Sequence, residues 1–303
     1  MVRLKKFNFK QKDKLEVEKT ENQKYRLIEH ILFPPKNVNL EKLRSALSNK
    51  TVLITGASYG IGEELAYLLA MDSIHLILVG RTEEKLILVK KTVESKGATA
   101  EVQSLDLRNE EQLDSFIEAL ISREKGIDVF VSNAGKSIRR SIYDSLDREH
   151  DFERTMAINY HVPVKLCLAL IPILERNKGQ IVNISAINVL IEPMPEWAAY
   201  QASKSAFDQW FRSVVPEVNG RGIATSTIYL PLVKTRMIAP TKAYDKMPAM
   251  KASHVARLIG KMIIGRRRVH KPWWLKFAEQ GSFLFRRPMQ AHLRRKYKKD
   301  ANA

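Results

Sequence analysis

The chain has 303 residues, with 51 Lys and Arg against 33 Asp and Glu, a formal net charge of +18. The surplus is confined to the ends: residues 1–50 hold 13 basic and 6 acidic side chains, residues 260–303 hold 13 and 2, and the 209 between them hold 25 of each sign. A neutral body speaks against a globular nucleic-acid-binding core, which carries its basic footprint on the folded body. A content of 45% hydrophobic and 28% charged residues rules out a disordered chain.

The single cysteine, Cys167, has no disulfide partner and no Cys or His at metal-ligand spacing. A reducing compartment and no metal site are expected. Within the apolar run Val164 to Ile171 it reads as a buried structural thiol rather than a nucleophile. The N-terminus alternates Lys with Phe, Leu and Glu and lacks the apolar core of a signal peptide. The best transmembrane candidate, Leu65 to Val79, is too short and is broken by Asp72, Ser73 and His75. These features predict a cytoplasmic protein.

In chain order, residues 1–50 form a basic extension with helical period around Tyr25 to Leu32 and a break at Pro34-Pro35. From residue 51 onward, β-branched runs predict strands at Thr51 to Thr55, His75 to Val79, Ala100 to Leu105, Ile127 to Ser132, Gln180 to Ile184 and Ile223 to Tyr229. Segments of helical period lie between them: Ile61 to Ala70, Glu83 to Lys96, Glu110 to Ser122, Arg148 to Arg176 and Trp197 to Val218. Wholly apolar strands alternating with amphipathic helices predict an α/β fold, a doubly wound parallel sheet covered on both faces. The sheet body spans residues 51–265, and residues 266–303 add a last strand and a basic, aromatic tail. Ligands of such sheets bind beyond the carboxyl ends of the strands.

The first strand runs into Thr55-Gly56-Ala57-Ser58-Tyr59-Gly60-Ile61-Gly62. Glycines at this spacing let the backbone turn sharply and approach a pyrophosphate, and the following helix N-terminus offers amides to the phosphates. A strand-to-helix turn without a ligand is the plainer alternative. The second strand ends at Val79-Gly80-Arg81 with no carboxylate for the ribose hydroxyls, and an arginine there suits the 2′-phosphate of NADPH. Arg81 is otherwise a solvated residue before a helix. Asp106, followed by Leu107, fits the adenine edge after the third strand.

Two further motifs follow: Ser132-Asn133-Ala134-Gly135 after the fourth strand, and Tyr200-Gln201-Ala202-Ser203-Lys204 farther on. Tyr and Lys at i and i+4 share one helix face, where an ammonium can lower the phenol's pKa and bind the nicotinamide ribose. Tyr200 then protonates the carbonyl oxygen as hydride reaches carbon. Taken alone, this pair is common on exposed helices.

With the glycine turn, these motifs resemble the short-chain dehydrogenase/reductase family over about residues 50 to 260. The resemblance implies a Rossmann-like seven-stranded sheet and a homo-oligomer. It implies that Asn133, Ala134 and Gly135 line the cofactor and that Tyr200 and Lys204 form the catalytic pair. Asn159 would hold a water of the proton relay, and Pro231, Val233 and Thr235 would bind the nicotinamide carboxamide. Leu232 replaces the glycine that usually follows the proline. Where the family carries a substrate-positioning serine, this chain has Ala186, and Ser185 lies fifteen residues before Tyr200. Losing one oxyanion donor costs about 10² to 10³ in rate.

The strips Gly135 to Ile142, Asp151 to Met156 and Pro231 to Lys242 are most similar to the reductase domain of bacterial fatty acyl-CoA reductases, which implies NADPH-dependent reduction of a lipid-like carbonyl. Arg139 and Arg140 either meet the phosphates of a CoA substrate or form ion pairs with Asp147, Asp151 or Glu153. Beyond residue 265, arginine and lysine clusters interleave with Trp273-Trp274, Phe277 and Phe283-Leu284-Phe285. This composition suits peripheral contact with an anionic membrane. The alternatives are a seventh strand over Val269 to Leu275 with a subunit contact and a solvated tail, or single-stranded nucleic acid. Two rivals to the lipid reductase remain: a non-catalytic NADPH-binding scaffold and a reductase of a small ketone.

Overall fold

The computed structural model describes residues 27–301 apart from 240 and 245; expectations for residues 1–26 lie outside the described residues. The six apolar runs form strands β1 Thr51–Thr55, β2 His75–Gly80, β3 Thr99–Ser104, β4 Val129–Ser132, β5 Gln180–Ala186 and β6 Ala224–Leu230. After them come a small ribbon of β7 Val233–Lys234 with β8 Met250–Lys251, and the two-residue β9 Val269–His270. The main sheet has seven strands in the order β3-β2-β1-β4-β5-β6-β9, every pairing parallel. Chain direction across the sheet reverses between β1 and β4. There a crevice opens at the carboxyl ends of the strands.

The helices are α1 Leu40–Leu47, α2 Gly60–Leu68, α3 Glu83–Glu94, α4 Glu110–Ile121, α5 Glu149–Met156, α6 Val162–Arg176, α7 Ala198–Gly220, α8 Ala252–Gly265, α9 Leu275–Leu284 and α10 Arg286–Ala301. Successive strand residues point to opposite faces. Val52, Ile54, Leu76 and Leu78 therefore pack on α1, α2, α3 and α8, and Leu53, Ile77 and Phe130 pack on α4, α6 and α7. Two buried cores sandwich the sheet, as the wholly apolar strands predict.

Three segments differ from the sequence reading. The sequence did not single out α8. Its buried Val255, Ile259 and Ile263 cover one face of the sheet. The N-terminal extension is partly core, because Phe33, Leu43 and Leu47 are buried in the same cluster as α8. A Cβ on Gly260 of α8 would stand 3.3 Å from Leu43, Leu68 and Val38, which is how closely the two segments fit.

At the other end, the strand expected over Val269 to Leu275 stops after His270. Trp273 and Trp274 have strand propensity, but Pro272 has no amide for the ladder, and its carbonyl accepts from Leu275 N at 3.0 Å, starting a helical turn. The expected solvated tail is the helix pair α9 and α10.

The span Leu65 to Val79 is divided between α2, a turn and β2. A different run, Glu149–Arg176, has 28 residues and contains an 18-residue stretch of mean hydropathy 1.6, long and apolar enough by composition to cross a membrane. Its Leu166, Leu170 and Leu174 are buried against the sheet.

Candidate functional site

The glycine turn leaves β1 at the crevice. Gly60 has φ +63° and its missing side chain lets Thr235 come within 3.0 Å of where a Cβ would stand. Gly62 lies so close to Gly56 that a Cβ would sit 2.2 Å from the Gly56 carbonyl oxygen. An L side chain at either place is strained or excluded. The turn is tied to the loop after β4: Thr55 Oγ1 accepts from Asn133 N and Ala134 N, each at 3.1 Å. Asn133 Nδ2 donates to the carbonyls of Thr55 at 2.9 Å and Gly56 at 3.2 Å. The Asn133 side chain is thus spent on holding the turn, and the backbone of Ala134 and Gly135 is left to line the crevice.

Several observations fit a bound dinucleotide. The N-cap residue of α2, Tyr59, makes no side-chain cap, and Glu63 Oε2 accepts from Gly60 N at 3.3 Å; the positive dipole end and the remaining amides suit a pyrophosphate. Ser58 Oγ is buried there without a hydrogen-bond partner, unusual for a polar atom unless a ligand or water supplies one. Tyr59 lies beneath the Arg236 guanidinium, 4.8 Å from its ring centre, with Lys85 at 5.8 Å.

Arg81 is exposed at the end of β2, near enough to Asp106 and Lys136 to act on both electrostatically. Burial and the guanidiniums of Arg154, Arg108 and Arg81 pull the Lys136 ammonium below its ordinary value. The result is a positive rim beside the expected adenosine end. Asp106 accepts two bonds from the Arg108 guanidinium, at 3.1 and 2.6 Å, and one from its backbone amide at 3.1 Å, which hold its carboxyl below the usual range. Leu107 is buried in the adjacent core.

The catalytic candidates converge on Gly135. A Cβ there would stand 3.0 Å from Asn159 Oδ1 and 3.6 Å from Lys204 Nζ. Asn159 sits in a π-helical turn, Ala157–His161, between α5 and α6; such turns concentrate at functional sites. Its Oδ1 accepts from Lys136 N at 3.0 Å, and its Nδ2 donates to Lys136 O at 2.9 Å and Ser203 Oγ at 3.0 Å. Both amide hydrogens are used. The side chain pins the loop after β4 to α7.

Tyr200 and Lys204 occupy one face of α7, and Lys204 Nζ donates to Ile184 O at 3.1 Å. Both keep some surface open to the crevice, but surrounding protein dominates. Burial, reinforced by neighbouring Tyr244, pushes the Tyr200 phenol up to about 12, and burial pulls Lys204 down to about 8. Desolvation and Tyr244, not the expected lowering by the ammonium, set the phenol. Tyr200 is accordingly a protonated acid at neutral pH.

Ser185 takes a different partner from the one expected. Its hydroxyl donates to Asp208 Oδ1 at 3.2 Å. Asp208 is two turns beyond Tyr200 on α7, about 12 Å along the axis. Tyr229 donates to the other oxygen at 3.4 Å. Burial pushes the Asp208 carboxyl up, and its attraction raises Lys204 in turn. The sequence reading did not contain Asp208. Its i+4 spacing from Lys204 was the one available signal.

Arg139 and Arg140 lie in ion pairs, Arg139 with Glu196 at 2.6 Å and Arg140 with the buried Asp151 at 3.2 Å. The Asp151 pairing was among the alternatives, whereas Glu196 was not. Glu196 has φ +70°, a left-handed conformation that costs a non-glycine residue roughly 1–2 kcal/mol. It is held by Arg139, by Tyr297 Oη of α10 at 3.0 Å, and by Arg140 N donating to its carbonyl at 2.8 Å. Trp197 meets Tyr200 edge-on at 5.6 Å and stacks on Tyr244 at 5.9 Å. Neither ring was singled out from the sequence.

Val233 is buried in the core beside β8, and Pro231 precedes it at the crevice edge. Lys234 is bound by Glu29 at 2.5 Å, and Glu29 also accepts from Ala249 N at 3.2 Å. The N-terminal segment therefore anchors the ribbon that borders the site.

Residues 50–246 match the short chain dehydrogenase family. A fatty acyl-CoA reductase of Acinetobacter baylyi is 42% identical over 232 residues, 76% of this chain and 78% of that protein. A fatty acyl-CoA reductase of Mycobacterium tuberculosis is 40% identical over 211 residues, covering 69% and 72%. Among solved structures, a short-chain dehydrogenase/reductase of unknown function from Caenorhabditis elegans matches with a TM-score of 0.64 at 26% identity, over 72% of this chain and 89% of that one. A short-chain dehydrogenase from Sphingobium yanoikuyae in complex with NADPH matches with 0.67 at 22% identity, over 83% and 96%, a likeness of fold. The chain belongs to the short-chain dehydrogenase/reductase family, and it is an oxidoreductase of the kind that uses a nicotinamide dinucleotide.

Proposed function

We propose that this protein is an NADPH-dependent reductase of a lipid-like carbonyl, a fatty acyl-CoA or fatty aldehyde, with Tyr200 as the proton donor. The observation that carries the reading is the convergence of Lys204 and Asn159 on Gly135, with Tyr200 one turn before Lys204 on the same helix face. NADPH, when bound, supplies the hydride. Ser58 and the amides of the Gly56-to-Gly62 turn would hold its pyrophosphate, Asp106 and Leu107 would flank its adenine, and Arg81 would hold its 2′-phosphate. Ala134, Gly135, Pro231, Val233 and Thr235 would border the nicotinamide.

Tyr200 Oη gives its proton to the carbonyl oxygen as hydride reaches the carbonyl carbon. With a thioester, the resulting hemithioacetal hydroxyl returns its proton to the Tyr200 phenolate as the C–S bond breaks, which releases the thiolate and leaves the aldehyde. Lys204 holds the nicotinamide ribose and returns a proton toward Tyr200. Asn159 acts as a positioning residue, fixing the loop that carries Gly135 and Lys136. With Ala186 at the family's serine position and Ser185 bonded to Asp208, Tyr200 is the hydroxyl assigned to the carbonyl oxygen. Arg139 and Arg140 are assigned to holding the loop around Glu196 rather than to CoA phosphates.

The choice of a lipid-like substrate is supported by the two relatives named fatty acyl-CoA reductase, and by a cavity of about 320 Å³ in which Ile138, Phe152 and Met194 stand beside the ion-paired Arg140, Asp151 and Glu196. Ligand pockets are mostly apolar with few polar groups. The test is NADPH oxidation over acyl-CoAs and aldehydes of increasing chain length. Turnover that rises with chain length supports the reading, and turnover confined to small polar ketones overturns it.

A further inference from the structure

Helix α9 presents the wrong side to solvent for a protein that is complete in water. Leu275 is buried against the body, whereas Trp273, Phe277, Phe283 and Leu284 are 55%, 73%, 76% and 69% exposed. At 3.6 residues per turn Phe277, Phe283 and Leu284 lie within an arc of about 120° on α9, which Lys276 and Gln280 share, and Trp273 just precedes the helix. Trp273 Nε1 donates to Ile31 O at 3.1 Å. That bond brings exposed Ile31 and Leu27, one helical turn apart, alongside this face.

Cations accompany this face: Lys276 within it and Arg287 at the start of α10 are exposed and make no ion pair among the described residues. Residues 266–298 carry eleven Lys and Arg against one Glu. We propose that this face of α9, with Leu27 and Ile31, docks on an anionic lipid bilayer and brings the reductase to membrane-borne substrate.

Charge selects the occupant. Two copies of so positive a surface repel one another, so a second chain is disfavoured, and an anionic partner is favoured. Leu27, Ile31 and Leu284 have no planar face to stack on bases, as single-stranded nucleic acid requires. An acyl interior with an anionic headgroup layer takes both the aliphatic groups and the cations.

The same segment reaches the site. Arg286 Nε and Gln290 Nε2 of α10 donate to Glu192 at 3.0 and 2.8 Å, and Tyr297 donates to Glu196 at 3.0 Å. Both glutamates belong to the loop that leads from Ser185 to Tyr200. The docking face is therefore bolted to the loop beside the apolar cavity. This inference deepens the lipid-carbonyl reading and rests on it for the choice of cargo, though not for the docking itself.

Sedimentation of the full chain with phosphatidylserine–phosphatidylcholine vesicles, pure phosphatidylcholine vesicles and oligothymidylate tests it, with turnover of a short aldehyde measured in parallel. Wild-type protein is expected to bind the anionic vesicles and to release them as salt rises from about 0.1 to about 1 M. Phe277→Glu with Leu284→Glu should weaken that binding at least tenfold. Lys276→Gln with Arg287→Gln should weaken it about thirtyfold, at roughly fivefold per cation. Short-aldehyde turnover should be unchanged in both.

Vesicle binding unaffected by the two glutamates overturns the proposal. So does oligothymidylate bound more tightly than vesicles, or self-association that the glutamates abolish. Vesicle binding that persists while every lipid carbonyl fails as a substrate sinks the catalytic reading and leaves the docking face standing.

Discussion

Two helices break the usual rule of burial in opposite senses. On α7, Lys204 and Asp208 are groups that water would keep charged, yet protein surrounds them. On α9, Phe277, Phe283 and Leu284 are groups that water expels, yet they face it. Each departure opposes stability, since buried charge costs desolvation and exposed aromatic area forgoes its burial. Folding alone accounts for neither. At α7 the medium alters protonation, leaving Tyr200 an acid and Lys204 a cation that gives up its proton near pH 8; at α9 the medium itself is incomplete.

The contrast can be broken most forcefully at α7. Tyr200→Phe should lower turnover about 10³-fold, within the range of a lost general acid, while the NADPH dissociation constant stays within about twofold of wild type. Stopped-flow reduction and fluorescence titration report the two quantities, and unchanged turnover removes Tyr200 from the chemistry. Next comes pH. Lys204, with a pKa of about 8, is charged below that value and neutral above it, so the reduction rate should fall as pH rises through about 8. Lys204→Arg, which stays charged, should move the fall to higher pH even though its overall rate is lower.

Smaller effects sharpen the division between holding and reacting. Asn159→Ala leaves the Lys136 backbone and Ser203 short of partners and should cost about 2 kcal/mol in urea unfolding. Ser185→Ala removes one hydrogen bond to Asp208, worth about 1 kcal/mol, and turnover should stay within about threefold of wild type. A fall of about 10² to 10³ would instead make Ser185 an oxyanion donor. The smallest change is expected at α9, where Phe277→Glu with Leu284→Glu should leave unfolding stability within about 0.5 kcal/mol per substitution, however much vesicle binding suffers.

Much of the interior was legible because its signals are local. The strands at residues 51 and 75 have apolar centres, those at 180 and 224 are rich in β-branched residues, and the glycine turn and Tyr200–Lys204 pair have fixed spacings. What escaped depends on the third dimension. The Asp208 partnership with Ser185 spans 23 residues, and no short motif encodes it. Glu196 looks like one more acidic loop residue until its φ of +70° and its ion pair with Arg139 are seen. The final helices were misread because aromatic residues carry strand propensity, whereas Pro272 and the packing of Leu275 decide the local geometry.

The meeting of the chain's ends bears on how the protein is made. Trp273 reaches Ile31 across 242 residues, and α1 finds its partner only when Gly260 has been synthesised. At translation rates of about 5–20 residues per second, that delay is about 10 to 50 s. Throughout it, the apolar flank of Phe33, Leu43 and Leu47 has no native cover. An N-terminal segment emerging first but docking last needs shelter on the ribosome, and a chain stalled before α8 would leave that flank available to chaperones or to aggregation.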